Sequence, residues 1–204
     1  MLVSRGVLPL LAALCLAWAH PLAAQSKKQL NERQIDGILV RAESLLARGQ
    51  ALQAIRAAQP VAAALFTEES FSFPRYSELS DRLYAVAWVA VVRLAGVYDV
   101  DGKPAPDERE VLNMAQARLH DLLPLKNPVW TARHAEALVA LGDRMPEAYT
   151  ALSALHEAGT LSEPEGYAAF TLAARATGHD DDAHAARSRC VALAKRRSRT
   201  VCPK

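Results

Sequence analysis

The sequence predicts an all-α protein, from its alanine content and from the periodicity of its apolar residues. Alanine, the best helix former and a poor strand former, occupies 40 of 204 positions, against nine glycines and four phenylalanines. Apolar residues after residue 30 recur with helical spacing, and no segment has the alternation typical of a strand. A composition of 51% apolar and 23% charged residues excludes a disordered chain.

The first 24 residues predict a secretory signal peptide. Arg5 precedes an apolar run at 7–19, and small residues ending at Ala24 precede the polar Gln25. The run is shorter than the about 20 apolar residues that a membrane-spanning helix needs, so an N-terminal anchor is the less favoured alternative. We expect cleavage near Ala24 and a secreted, periplasmic protein without a stable membrane span, in which 25–204 form a single helical domain.

The first two predicted helices form a hairpin over 31–66. Gly49 ends the first helix at a tight turn. Pro60 is expected to end or kink the second helix, because proline lacks a backbone N–H and its ring clashes with the preceding turn. The stretch 67–76 is predicted to be a loop that its aromatic side chains anchor.

The second predicted hairpin covers 77–123, and Pro124 ends it. Its first helix is apolar on every side from Leu83 to Tyr98, except at Arg93. Such a helix is typically buried in the middle of a domain, although a helix that faces a partner is the alternative.

Two further hairpins follow and bring the number of predicted helices to about eight. Asn127 and Pro128 combine an N-cap residue with a proline at the first helical position. Ser162 and Glu165 have the spacing of a capping box ahead of the seventh helix. These hairpins are expected at about 128–158 and 163–197.

Three turn glycines have a small residue seven positions before them, and Gly49 and Gly178 also have one five positions after, where Gly142 has Glu147. Gly142 and Gly178 lie 36 residues apart, which is close to one helical hairpin. Small side chains let the two helices of a hairpin approach closely. The matching residues are Ala42 and Ala54 around Gly49, Ala135 before Gly142, and Thr171 and Ala183 around Gly178. With this pattern the chain resembles the tetratricopeptide repeat family, whose unit is about 34 residues.

The resemblance covers about half of the mature chain and is best over 167–194. It implies antiparallel hairpins stacked as a right-handed superhelix that works as a protein–protein interaction or scaffold module. In this family a protein or peptide partner binds in the concave groove that the first helix of each pair forms. The groove residues would be Glu43, Leu46, Glu136, Val139, Leu172 and Arg175. The expected partner is a protein or peptide of the cell envelope.

Two other functions stay open at this point. One is a small all-α enzyme that acts on envelope material, with histidine and glutamate side chains converging from different helices. The other is a structural subunit that assembles through its apolar third helix. No motif predicts a catalytic residue or a cofactor, and nucleic acid is not an expected partner because aromatic residues do not alternate with the cations.

Two acidic motifs could suggest a metal, and neither has the required spacing. His179 and His184 are five residues apart, whereas zinc-binding pairs on one helical face are four apart. The aspartates between them suit the first turn of a helix, whose positive end favours anions. The segment 99–102 lacks the third ligand of a calcium loop. No metal site is predicted.

Cys190 and Cys202 are the cysteines that remain after removal of the signal peptide. In an oxidising compartment they are predicted to form a disulfide, with two free thiols as the alternative. The segment 187–204 carries seven Lys and Arg and no acid, whereas 25–186 has a net charge of −6 from 16 cations and 22 anions. This basic tail either binds an anionic partner or complements the end of its own helix.

Overall fold

The computed structural model describes residues 30–65, 67–94, 106–195 and 201–203. Regular structure in these ranges is helical throughout, so the predicted all-α class is confirmed. Eight α-helices fall within them, along with 3₁₀ turns at Glu68–Ser72 and Leu123–Leu125. The helices are α1 (Glu32–Ala47), α2 (Ala51–Leu65), α3 (Tyr76–Leu94), α4 (Pro106–His120), α5 (Pro128–Leu141), α6 (Met145–Glu157), α7 (Pro164–Ala176) and α8 (Asp180–Ala194).

The chain divides into two compact units, residues 1–94 and 95–204. The predicted hairpin over 77–123 would join helices of different units, so its pairing stays a prediction. The predicted signal peptide and its cleavage near Ala24 lie outside the described residues, as does the acidic segment 99–102. Among the described helices, none is both long and apolar enough to cross a bilayer.

In the first unit, α1, α2 and α3 all pack on one another. A capping box starts α1: the Asn31 side chain accepts a hydrogen bond from the Gln34 backbone N–H, and the Gln34 side chain accepts one from the Asn31 N–H (both 3.0 Å). Apolar residues at helical spacing then bury one side of α1. They are Ile35, Leu39, Ala42 and Leu46.

Helix α2 continues through Pro60, so of the two expected outcomes, an end or a kink, the helix does not end there. Proline at this position deprives the carbonyl of Arg56 of its helical donor. Both Pro60 and Arg56 are exposed, so water can satisfy that carbonyl. Buried apolar residues on both sides of the proline hold the helix together. They are Ala51, Ala54, Ile55, Ala58, Val61, Ala62 and Leu65.

Ser70 is the buried side chain of the segment 67–76, and of the aromatic residues expected to anchor it Phe71 is exposed while Phe73 and Tyr76 are partly buried. Ser70 is 1% exposed, and its hydroxyl donates to the carbonyls of Leu65 (2.6 Å) and Thr67 (2.7 Å). Phe71 is 62% exposed and contacts the ring of Tyr76 at 4.9 Å between centroids. The serine hydroxyl donates to the Leu65 carbonyl at the end of α2, which a phenylalanine side chain cannot do.

In the second unit, each helix from α4 to α8 packs on the next, and α5 also packs on α7. The predicted cap is confirmed, because Asn127 accepts a hydrogen bond from the Val129 N–H (2.9 Å) and Pro128 is the first residue of α5. The turn glycines Gly142 and Gly178 have φ of 73° and 78°, a conformation that residues with a Cβ rarely adopt.

The predicted capping box at Ser162 and Glu165 does not form. The N-cap of α7 is Glu163, whose side chain makes no capping bond, and Pro164 occupies the first helical position. Glu165 is 2% exposed and lies in the core side of α7. Proline replaces the capping box as the start signal, because it has no N–H that needs a partner.

Candidate functional site

Arg82 of α3 bridges to α1 through two carboxylates. Its guanidinium donates to both Glu43 oxygens (2.8 and 2.9 Å) and to Asp36 Oδ1 (2.5 Å). The hydrogen bond to Glu43 is the main reason that the pKa of Arg82 is raised. The carboxylates of Asp36 and Glu43 are 36% and 37% exposed, so this Arg82 network is open to water on one side.

The third acid of α1 also faces the chain segment that begins α3. Glu32 Oε1 accepts a hydrogen bond from the Arg75 backbone N–H (3.0 Å). The Arg75 guanidinium binds Glu78 and lies 3.7 Å from Asp36. All the acidic side chains of α1 therefore point toward one edge of the helix.

The second unit contains an ion network that is much more deeply buried. Arg133 of α5 donates to Glu136 Oε1 (2.5 Å), one helical turn later, and to Glu163 just before α7. The side chains of Arg133 and Glu136 are 8% and 1% exposed, and that of Glu163 is 22% exposed. This Arg133 network ties α5 to the start of α7 with charge-assisted hydrogen bonds.

Gly166 of α7 provides the space beside this network. A Cβ at Gly166 would lie 2.6 Å from Leu161 Cδ1 and 3.8 Å from Glu136 Oε1. The missing side chain thus lets Leu161 and the buried carboxylate approach the backbone of α7. Any larger residue requires the Leu161 side chain, which is 6% exposed, to move.

Three of the six predicted groove residues are in the core. Leu46, Glu136 and Val139 are 6%, 0% and 4% exposed. Leu46 belongs to the buried stripe of α1, and Val139 packs in the main apolar cluster of the second unit. The side chains of these three residues therefore face neighbouring helices and do not line an open groove.

The other three predicted groove residues keep accessible surface. Glu43 is partly exposed while it binds Arg82, Leu172 is partly exposed at the margin of the core, and Arg175 is exposed. For these three the groove stays a prediction. The burial of Glu136 was not readable from the sequence, although its spacing from Arg133 allows an ion pair on one helix.

His134 is a buried histidine at the contact of α5 with α4. It is 4% exposed, and Gln116 Nε2 donates to its Nε2 (2.8 Å). An amide nitrogen only donates, so this contact fits a neutral imidazole. Burial and the neighbouring His120, 5.3 Å away between ring centroids, lower the pKa of His134.

The acidic segment at 179–184 serves as a helix junction in the structure. Tyr149 of α6 donates its hydroxyl to Asp182 Oδ2 (2.7 Å), and its ring stacks on His179 at 3.9 Å between centroids. The bond to Asp182 raises the pKa of Tyr149. Among described residues, no group of three or more His, Cys, Asp and Glu is placed to hold a metal ion.

The C-terminal residues 201–203 return to the second unit. Cys202 is joined to Cys190 in a disulfide, with Cα atoms 5.8 Å apart, as predicted. Arg187 Nε donates to the Pro203 carbonyl (3.0 Å), and Pro203 is buried. Residues 196–200 and 204 of the basic tail lie outside the described residues.

Comparisons with protein-family models, curated proteins and solved structures find no match for this chain.

Proposed function

We propose that the protein is a helical-repeat scaffold that binds a protein or peptide partner. The observation that carries the proposal is the order of packing: within each unit a helix packs on its successor, and α1 and α5 also pack on the next helix but one. Stacked hairpins of repeat proteins have this nearest-neighbour pattern. The tetratricopeptide-like superhelix belongs to the same proposal and is supported by the turn glycines.

The Arg133 network supports the role of α5 and α7 as the first helices of two stacked hairpins. It fixes the start of α7 against α5 by hydrogen bonds that water hardly reaches. A rigid pair of first helices is what a preorganised binding surface needs, because less ordering entropy is lost on binding. Of the residues predicted for this surface on α7, Leu172 is partly exposed and Arg175 is exposed, which supports the proposal.

We also propose that the scaffold is exported and works in the periplasm. The basic, apolar and small-residue pattern of residues 1–24 supports a signal peptide, and the Cys190–Cys202 disulfide suits an oxidising compartment. N-terminal sequencing of the exported protein should then begin at Gln25. An exported protein that retains Met1 would contradict the cleavage, and a protein that retains Met1 and stays in the cytoplasm would contradict export as well.

Position-specific photocrosslinking tests the binding surface. A photoreactive amino acid placed at Leu172 or at Arg175 should give a band of the protein crosslinked to its partner, in cells that produce the protein. The matched control is Arg56, an exposed residue of α2, which is the second helix of its hairpin. Equal crosslinking at all three positions, or crosslinking at Arg56 alone, would contradict the proposed surface.

A further inference from the structure

The exposed face of α1, together with its C-cap residue Arg48, carries three arginines and no acid. Arg33, Arg41 and Arg48 are all exposed, and Gly37, Val40 and Ser44 lie exposed between them. At the rotation of an α-helix these six residues cover about a third of its circumference, and Arg33 to Arg48 extend over about 22 Å. We call the three arginines and the residues between them the arginine face.

The charges of α1 are separated by side. Its acids contact Arg75 or Arg82, at the edge of α1 that faces α3. Arg33, Arg41 and Arg48 form no ion pair with any described residue. The arginine face is therefore a row of three positive charges that no acid among the described residues neutralises.

We propose that the arginine face binds an acidic α-helix of a partner protein. This proposal rests on the proposed role as a scaffold and specifies that the partner is acidic and helical. The arginines are eight and seven residues apart, or about two helical turns each. Carboxylates at the same spacing on one side of a second helix can pair with all three. Guanidinium groups suit this pairing, because their planar donors bind a carboxylate bidentately.

The residues between the arginines suit a helix better than a lipid surface. Gly37 has open space around its Cβ position, and Ser44 is small, so neither blocks the approach of a second helix. Val40, 54% exposed, is the exposed large apolar residue of α1. Surface insertion into lipid needs a wide apolar face, which α1 does not have toward solvent.

The binding experiment uses the full mature chain and a fluorescent, alanine-based helical peptide with glutamates seven and eight residues apart. A second peptide of the same composition places its glutamates on different sides of the helix. Fluorescence anisotropy at low salt should show binding of the first peptide, and weaker binding of the second. Phosphatidylglycerol vesicles and inorganic polyphosphate are measured in parallel as the other anionic partners.

Two charge variants decide whether the arginine face is responsible. The triple variant R33Q/R41Q/R48Q should bind the matched peptide about tenfold more weakly, as expected for the loss of three exposed ion pairs. The control R56Q/R189Q/K195Q removes the same charge from exposed residues elsewhere and should change the affinity by less than about twofold. Circular dichroism should show both variants folded, since none of the six side chains is buried.

Several results would overturn the proposal. The matched peptide does not bind, the two peptides bind equally, or the two variants lose the same affinity. A fourth such result is that only vesicles or polyphosphate bind and that the triple variant weakens this binding. These results leave the scaffold intact if crosslinking at Leu172 and Arg175 still succeeds. If that crosslinking fails while the matched peptide binds, the proposed surface at Leu172 and Arg175 is rejected and the arginine face is retained.

Discussion

The Arg82 network and the Arg133 network have the same composition, one arginine and two carboxylates, in very different surroundings. The carboxylates around Arg82 are more than a third exposed, whereas Glu136 beside Arg133 is 1% exposed. Water screens the first network and competes for its hydrogen bonds. The second network has little water to replace a lost partner, so each of its members depends on the others.

This difference separates two uses of ion pairs in one chain. The Arg82 network positions α3 beside α1 and can be lost without leaving a buried charge. The Arg133 network lies inside the second unit, where a carboxylate without a cation is costly. The following substitutions measure that difference.

The largest effect is expected for Arg133→Met. Removing the guanidinium takes a hydrogen-bonded cationic partner from the buried carboxylate of Glu136, which should lower the free energy of unfolding by about 3 to 5 kcal/mol. Urea unfolding followed by circular dichroism measures this change. The double variant R133M/E136L should recover most of the loss, because an apolar pair replaces a buried ion pair well. A loss of under 1 kcal/mol in the single variant would mean that water reaches Glu136.

Removal of the disulfide is expected to have the next largest effect. The double variant C190A/C202A opens a loop of about 13 residues, for which the chain-entropy estimate is about 3 kcal/mol, and local fraying should reduce the measured loss to about 2 kcal/mol. Hydrogen exchange should place the loss in α8 and leave α1 and α2 unchanged. Increased exchange in α1 would show that the disulfide acts beyond its own unit.

A smaller effect is expected for Arg82→Met, the counterpart of the first substitution. Its carboxylate partners can turn to water, so the loss should be about 1 kcal/mol and should shrink as salt is added. Parallel urea unfolding of the two methionine variants gives the comparison directly. If Arg82→Met costs as much as Arg133→Met, burial does not explain the difference between the networks.

The smallest effect concerns pH. The pKa of His134 is lowered in the folded chain, so below about pH 6.5 the unfolded chain binds more protons and stability falls with falling pH. His134→Gln should flatten this decline between about pH 7 and pH 5, while His184→Gln, at an exposed position, should not. Residues 30–94 contain no histidine, so this acid sensitivity belongs to the second unit. An unchanged slope in the His134 variant would place the sensitivity elsewhere.

Local signals predicted much of the fold. The glycine turns and the Asn127 cap depend on one or two residues, and the structure forms both. The Asn31–Gln34 capping box is an equally local feature of the structure, and it was not predicted. Cys190 and Cys202 could be paired because few cysteines remained to choose from.

Signals that depend on tertiary packing were missed. Pro60 is a helix breaker in general, but apolar contacts on both sides of it outweigh one lost hydrogen bond. Ser70 looks like an ordinary loop residue until its carbonyl partners are known. In the sequence Glu136 looks like an exposed acid. It is buried because Arg133 and the start of α7 pack around it, and this packing involves Glu163, which is 30 positions from Arg133.

The separation of charges on α1 affects which substitutions this chain can accept during evolution. The residues that hold α1 to α3 and the arginines that face solvent occupy different sides of one helix. Substitutions of exposed residues usually shift stability by no more than about 0.5 kcal/mol. Arg33, Arg41 and Arg48 can therefore be exchanged without unfolding the first unit, whereas α5 carries its charges in the core and has no such freedom. Selection for a new binding partner would find its accessible mutations on α1.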